Sequence, residues 1–156
     1  MDGTQVFPGR PCPHCTGEGC GIYTHRPVDP CVIFNCAWVV EDSELPNWMR
    51  PDKSKAIVRL KKIAWRGTPV IYALPVGRTL PRRTLNWLKG FAKRTGRPLL
   101  YIQRSAENKN SIQESINSQV AFGVGPAEFE QQIAARRTDG FVVFKVQGEG
   151  EQTSPI

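Results

Sequence analysis

Residues 69–103 restrict the fold of this chain more than any other stretch, because they read as strand, helix and strand in that order. PVIYALPV (69–76) and PLLYIQ (98–103) are short apolar runs of the kind that fill a buried sheet. Between them Thr79 is placed to cap a helix, Pro81 fits its first turn, and Gly96 followed by Pro98 stops it. A helix is therefore predicted at about 80–95, and two strands joined through a helix are expected to lie parallel with a right-handed crossover, as a βαβ unit.

The predicted helix is amphipathic. Leu85, Leu88 and Ala92 line one side, while Arg82, Asn86, Lys89 and Lys93 recur along another. Upstream, Lys55–Trp65 fits a helical stripe through Ile57, Leu60 and Ala64 and equally an alternating strand. With Arg66-Gly67-Thr68-Pro69 as a turn, the strand reading makes a hairpin with 69–76. CVIFNCAWVV (31–40) is expected to be a strand buried on both faces, followed by an acidic connector, EDSELPNWMRPD. Ser111 with Glu114 has the pattern of a capping box ahead of Ile112, Ile116 and Val120, a short helix. Pro126–Arg137 is predicted as another, acidic early at Glu128 and Glu130 and basic late. FVVFKV (141–146) closes the core as a strand. The expected class is α/β or α+β, a mixed sheet containing a βαβ unit with two or three helices behind an N-terminal zinc-knuckle-like loop. An OB-type barrel stays open if 55–76 is a hairpin. Residues 1–40 are read as a Cys-rich zinc-binding segment leading into the first core strand, 41–146 as the basic core and 147–156 as a flexible tail.

All five cysteines and both histidines fall between Cys12 and Cys36. The N-terminus has no signal-like apolar stretch, and no apolar run approaches the roughly 18 residues of a membrane span. The expectation is a cytoplasmic chain with no membrane partner and thiols kept reduced, where an odd cysteine count suits metal ligands better than disulfides. Cys12 and Cys15 are spaced so that two thiolates converge on one ion, and Gly17 and Gly19 let the backbone turn its amides toward sulfur. The octet Cys12-Pro-His-Cys-Thr-Gly-Glu-Gly19 resembles the CxxCxGxG element of the zinc-binding region in DnaJ-type chaperones, a likeness of eight residues that carries over the local knuckle alone. Cys31 and Cys36 have opposite parity on an extended strand, so both ligate only across a bulge or turn. The expected zinc ligands are Cys12, Cys15, Cys31 and one of Cys20 or His25, with Cys36 a buried thiol. Four protein ligands leave no open position, so the zinc is structural.

The net charge of +7 conceals a partition. Residues 1–49 carry two basic and six acidic side chains, 50–109 sixteen and two, and 110–156 three and six. A middle block so basic calls for an anionic partner, and nucleic acid is the expected one, of unspecified type. Lys53, Lys55, Arg59, Lys61, Lys62, Arg66, Arg78, Arg82, Arg83, Lys89, Lys93 and Arg94 are the candidate contacts, with Arg97 beside them. Such residues grip phosphates without reading sequence. Trp87 and Phe91, four apart on the helix, are expected in the core rather than as stacking platforms for bases.

Chemistry has little to work with here. Both histidines sit in the cysteine segment, so the core has no imidazole for acid–base work. Pro51-Asp52 and Glu107-Asn108-Lys109 have the form of the two halves of a divalent-metal nuclease site. Gly123-Val-Gly125 ahead of a helix lacks the third glycine of a dinucleotide-binding loop. The sequence thus points to a non-enzymatic, zinc-containing nucleic-acid-binding accessory or regulatory protein. The alternatives are a regulator docking its basic face on an acidic protein and, behind it, a nuclease.

Overall fold

A computed structural model describes residues 12–16, 19–32, 35–40, 43–104 and 118–135. Its centre is a four-stranded mixed sheet. β3 (Ala56–Arg59) pairs antiparallel with β6 (Ile71–Pro75), β6 parallel with β7 (Leu99–Arg104), and β7 antiparallel with β8 (Gln119–Val124). Two small antiparallel ribbons stand apart from it, β1 (Cys15–Thr16) with β2 (Gly19–Cys20) and β4 (Ala64–Trp65) with β5 (Thr68–Pro69). The helices are α1 (Pro51–Ser54), α2 (Arg82–Thr95) and α3 (Ala127–Ala135). The class is mixed α and β, with the expected βαβ unit formed by β6, α2 and β7 in parallel register Ile71↔Leu99. The predicted helix at 111–120, the strand at 141–146 and the tail lie outside the described residues, apart from Ser118–Val120, where β8 begins.

Alternation along the strands sorts the core into two halves. Ile71, Ala73, Leu99 and Tyr101 face α2 and pack against Leu88, Phe91 and Ala92. Tyr72, Leu100, Ile102 and Ala121 face the other way, against Phe129 and Ile133 of α3. Strands sealed on both sides explain why 69–76 and 98–103 read as continuous apolar runs. Gly123 lets α3 come this close, since a Cβ there would stand 3.0 Å from Ile133 Cγ1.

Several expectations are corrected. The helix begins later than its cap was placed: Pro81 occupies the N-cap position, no side chain caps it, and Thr79 is exposed. Its end is as expected, with Gly96 at φ 67° in the left-handed region. Lys55–Trp65 resolves toward strands, β3 and β4. The turn into β5 is two residues, Arg66 and Gly67, both at positive φ, as a tight hairpin of right-handed twist requires. Among the described residues the sheet stays open, because β6 goes on into a parallel crossover, so no barrel forms.

The described part of 31–40 forms no strand. Val28–Val32 make one wide helical turn, residues 37–39 a tighter turn, and Val39 and Val40 are exposed. Its one bond to the sheet runs from Ala37 N to Val58 O on the outer edge of β3, 2.7 Å. Apolar composition promised burial, but among the described residues of this stretch only Cys36 and Ala37 are buried. The acidic connector is conversely more than a linker: Leu45 and Met49 are in the core, and Ser54 Oγ donates to Met49 O at 3.0 Å to close α1 onto it. Replacing Leu88, fully buried at the centre of α2, by alanine is expected to cost about 2–5 kcal/mol, whereas Val39→Ala should stay within about 0.5 kcal/mol. Urea denaturation of the two variants with an unchanged m-value checks both.

Candidate nucleic-acid interface

The basic candidates are brought together by two backbone-directed bonds. Thr84 Oγ1 in the first turn of α2 donates to Ser54 O at the end of α1, 2.7 Å, and Val76 N donates to Lys55 O, 2.9 Å. Lys55 itself closes α1 in the left-handed conformation, φ 55°. Lys53 and Lys55 are thereby set beside the loop that carries Arg78 and the helix start that carries Arg82 and Arg83, and all five are exposed. Asn86, Lys89, Lys93 and Arg94 continue the exposed side of α2, so the outer stripe read from the sequence is present as a surface.

Among the described residues, the charges along α2 find little compensation. The first turn of α2 contains two arginines and no acid. The positive end of the helix dipole disfavours cations there by about 0.3–1 kcal/mol each. None of the ion pairs seen among the described residues engages Lys53, Lys55, Arg82, Arg83, Lys89, Lys93 or Arg94. The nearby carboxylate of Asp52 is spent on Arg50, at 2.6 Å, and that hydrogen bond holds the Asp52 carboxyl below its usual range.

Aromatic rings lie along the same face. Arg83 stands 4.5 Å over Trp48, Trp48 meets Trp87 edge to face at 5.8 Å, Trp87 stacks on Phe91 at 5.0 Å, and Arg94 lies 5.8 Å over Trp87. Phe91 is buried as expected, while Trp87 and Trp48 are half-buried. Trp48 was not among the sequence candidates. Its signal was the bracket Pro46-Asn-Trp-Met-Arg-Pro51, which fixes a short turn and leaves an aromatic residue no helix or strand to hide in.

The remaining candidates are elsewhere, so the block from 53 to 104 is not one surface. Arg66 pairs with Glu128 on α3, where Trp65 Nε1 donates to Gln132 Oε1 at 2.9 Å and its ring meets Phe129. Arg104 is buried and donates to Gly77 O at 2.8 Å and Pro75 O at 3.3 Å, tying β7 to the loop from which α2 starts. Burial pulls its guanidinium below the ordinary arginine range, and Nε has no partner among the described residues. Arg59, Lys61, Lys62 and Arg97 gather around a cleft between the end of β3 and the segment after α2.

In the cysteine segment, Cys15 N donates to Cys12 O at 2.9 Å, closing the expected tight turn, and Cys15 lies directly across the ribbon from Cys20. Cys36 is buried, the other four thiols are not, and Thr24 Oγ1 lies 2.9 Å from His25 Nδ1. Among the described residues no three His, Cys, Asp or Glu side chains converge closely enough to hold a metal. Cys31 lies on the wide helical turn at Val28–Val32 and His25 on the 3-10 turn Tyr23–His25. Of the nuclease pattern, Asp52 is engaged by Arg50, and Glu107 and Lys109 lie outside the described residues. No described helix is long and apolar enough to cross a membrane.

No family model, curated protein or solved structure matches the chain. The site therefore has to be read from its own chemistry. Away from this face, at the cleft beside β3, Lys62 gives a direct check on the local electrostatics. Partial burial first, and the neighbouring charge of Arg59 second, depress its ammonium below the ordinary lysine range. Side-chain NMR titration should find Lys62 losing its proton before the exposed lysines, and Arg59→Gln should restore it only in part, because burial is the larger cause.

Proposed function

We propose that this protein binds nucleic acid, chiefly through phosphates, along the surface formed by Lys53, Lys55, Arg78, Arg82, Arg83, Lys89, Lys93 and Arg94. The observation that carries this reading is the start of α2, where Arg82 and Arg83 sit at the wrong end of a helix dipole with no acid in the turn. A phosphate placed there relieves both costs at once, since helix N-termini and arginines each favour anions. The half-exposed rings of Trp48 and Trp87 offer base faces an edge or plane to rest on beside the phosphate track. We also propose that a structural zinc ion orders the segment 8–36 through Cys12, Cys15, Cys31 and one of Cys20 or His25, in a reducing compartment. The closed Cys12–Cys15 turn and the facing of Cys15 with Cys20 support it. The protein would then act as an accessory or regulatory factor and not as an enzyme.

Fluorescence anisotropy of labelled single- and double-stranded DNA and RNA over a range of salt tests the main reading. Log K should fall linearly with log salt, and substituting Arg82, Lys89 or Lys93 by alanine should lower the magnitude of the slope on duplex DNA by about 0.9 for each phosphate contact removed. No binding at low salt contradicts the reading and turns attention to an acidic protein as the partner of this face. For the metal, purified protein should carry about one zinc per chain, and Cys15→Ser should release it and lower the melting temperature. A metal-free protein that melts at the same temperature as the variant contradicts the zinc proposal.

A further inference from the structure

The ribbon of β1 and β2 sets two thiols against one another. Cys15 and Cys20 are directly opposite in its register, so their side chains leave the same face. The hydrogen bonds show which kind of opposite pair this is. Gly21 N donates to His14 O at 2.8 Å, as in a hydrogen-bonded pair, while Cys15 N is turned away to Cys12 O at 2.9 Å. The two kinds of pair alternate along an antiparallel ribbon, so Cys15 and Cys20 form a non-hydrogen-bonded one. In such pairs the side chains come closer, with Cα atoms about 4.5 Å apart rather than about 5.5 Å.

A disulfide needs a Cα separation of about 4.4–6.8 Å and Cβ atoms about 3.5–4.5 Å apart. The facing pair meets the first condition at its short end, and its Cβ separation falls at the low side of about 4.5–5.5 Å, so a small shift of a two-residue ribbon closes the bond. Both cysteines are reduced and exposed. Cys15 Sγ donates only weakly, to Thr16 O at 3.7 Å, and gives that contact up easily. The rival partner of Cys15 is Cys12, at the other end of the tight turn. The ends of such a turn lie anywhere under about 7 Å, beyond the disulfide range at its outer limit, and Cys12 is less exposed than Cys20. The facing geometry therefore favours Cys20.

We propose that Cys15 and Cys20 are a site of reversible oxidation by small-molecule disulfides such as glutathione disulfide, closing a covalent bond across the ribbon. One thiolate attacks the sulfur–sulfur bond of the oxidant, forming a mixed disulfide and releasing one glutathione. The facing thiolate then attacks the protein sulfur of that mixed disulfide and releases the second glutathione. The two cysteines lose two electrons and two protons, and one glutathione disulfide becomes two thiols. An exposed bond of this kind opens and closes with the surrounding thiol pool. The cross-link needs no metal. Where the zinc ion proposed above is bound, Cys15 is one of its ligands, so ion and disulfide exclude one another at this ribbon.

The test equilibrates the full chain with glutathione buffers from reducing to oxidising, one arm with a chelator and one with zinc, followed by alkylation and mass-spectrometric mapping. Cleavage after Glu18 parts Cys12 and Cys15 from Cys20, so the expected bond joins two peptides. In the chelator arm Cys15 and Cys20 should become linked at oxidising ratios, and dithiothreitol should open the link completely. Cys20→Ser should abolish it and leave glutathione on Cys15, whereas Cys12→Ser should leave it intact. Protection of both thiols by zinc supports the cross-link and the ion together; equal oxidation in the two arms supports the cross-link and counts against the ion. Cys15 and Cys20 still alkylated at every ratio in both arms, or oxidation that joins Cys15 to Cys12 instead, overturns the proposal.

Discussion

The parallel pairing of β6 with β7 is the constraint on which the rest of the structure rests. Two parallel neighbours cannot be joined by a tight turn, so the chain must cross the sheet between them, and α2 is that crossing. Once α2 lies on the sheet, one side of it is claimed by Leu88, Phe91 and Ala92. The opposite side is left to solvent with every basic residue that the stripe contains. The βαβ unit thus fixes the core and the candidate interface in a single stroke.

Around this unit, smaller interactions set the details that matter to the interface. Arg104 holds the loop before α2 through two carbonyls, and Thr84 ties the first turn of the helix to α1. Each bond is modest, about 0.5–1.5 kcal/mol for a neutral pair and more where a charge is involved. Their effect is positional: Lys53 and Lys55 are carried from the other end of β3 to the side of Arg82 and Arg83. The same scaffold keeps Arg66 away, pinned to α3 with Trp65, and gathers Arg59, Lys61 and Lys62 into a recess of their own.

The parts of this arrangement legible in the sequence were those set by local rules. Gly96 stopping α2, the apolar strands on either side of it, and the basic stripe of Arg82, Lys89 and Lys93 all follow from periodicity and backbone chemistry. Residues 31–40 misled because apolar content was read as burial between neighbouring strands, while the edge of β3 accepts a single bond from Ala37 and leaves Val39 outside. The split of the basic block was illegible for a related reason. Charge counts along a chain carry no information on which face of a strand or which end of a helix each side chain reaches, and here adjacent stretches diverge at every turn. Trp48 and the cleft wall of Asn35 and Glu44 come from a segment without periodicity, whose place is decided by the tertiary contacts of Leu45 and Met49.

The central claim is that one continuous exposed face, from the end of α1 along α2, meets the phosphates of a nucleic acid. Backbone amide shift mapping of the labelled protein with a short oligonucleotide tests it most directly. The account predicts perturbations concentrated at 53–55, 78–83 and 86–94, fading as salt is raised, with little change on the α3 side at 127–135. Perturbations confined to the α3 side, or none at low salt, would contradict it.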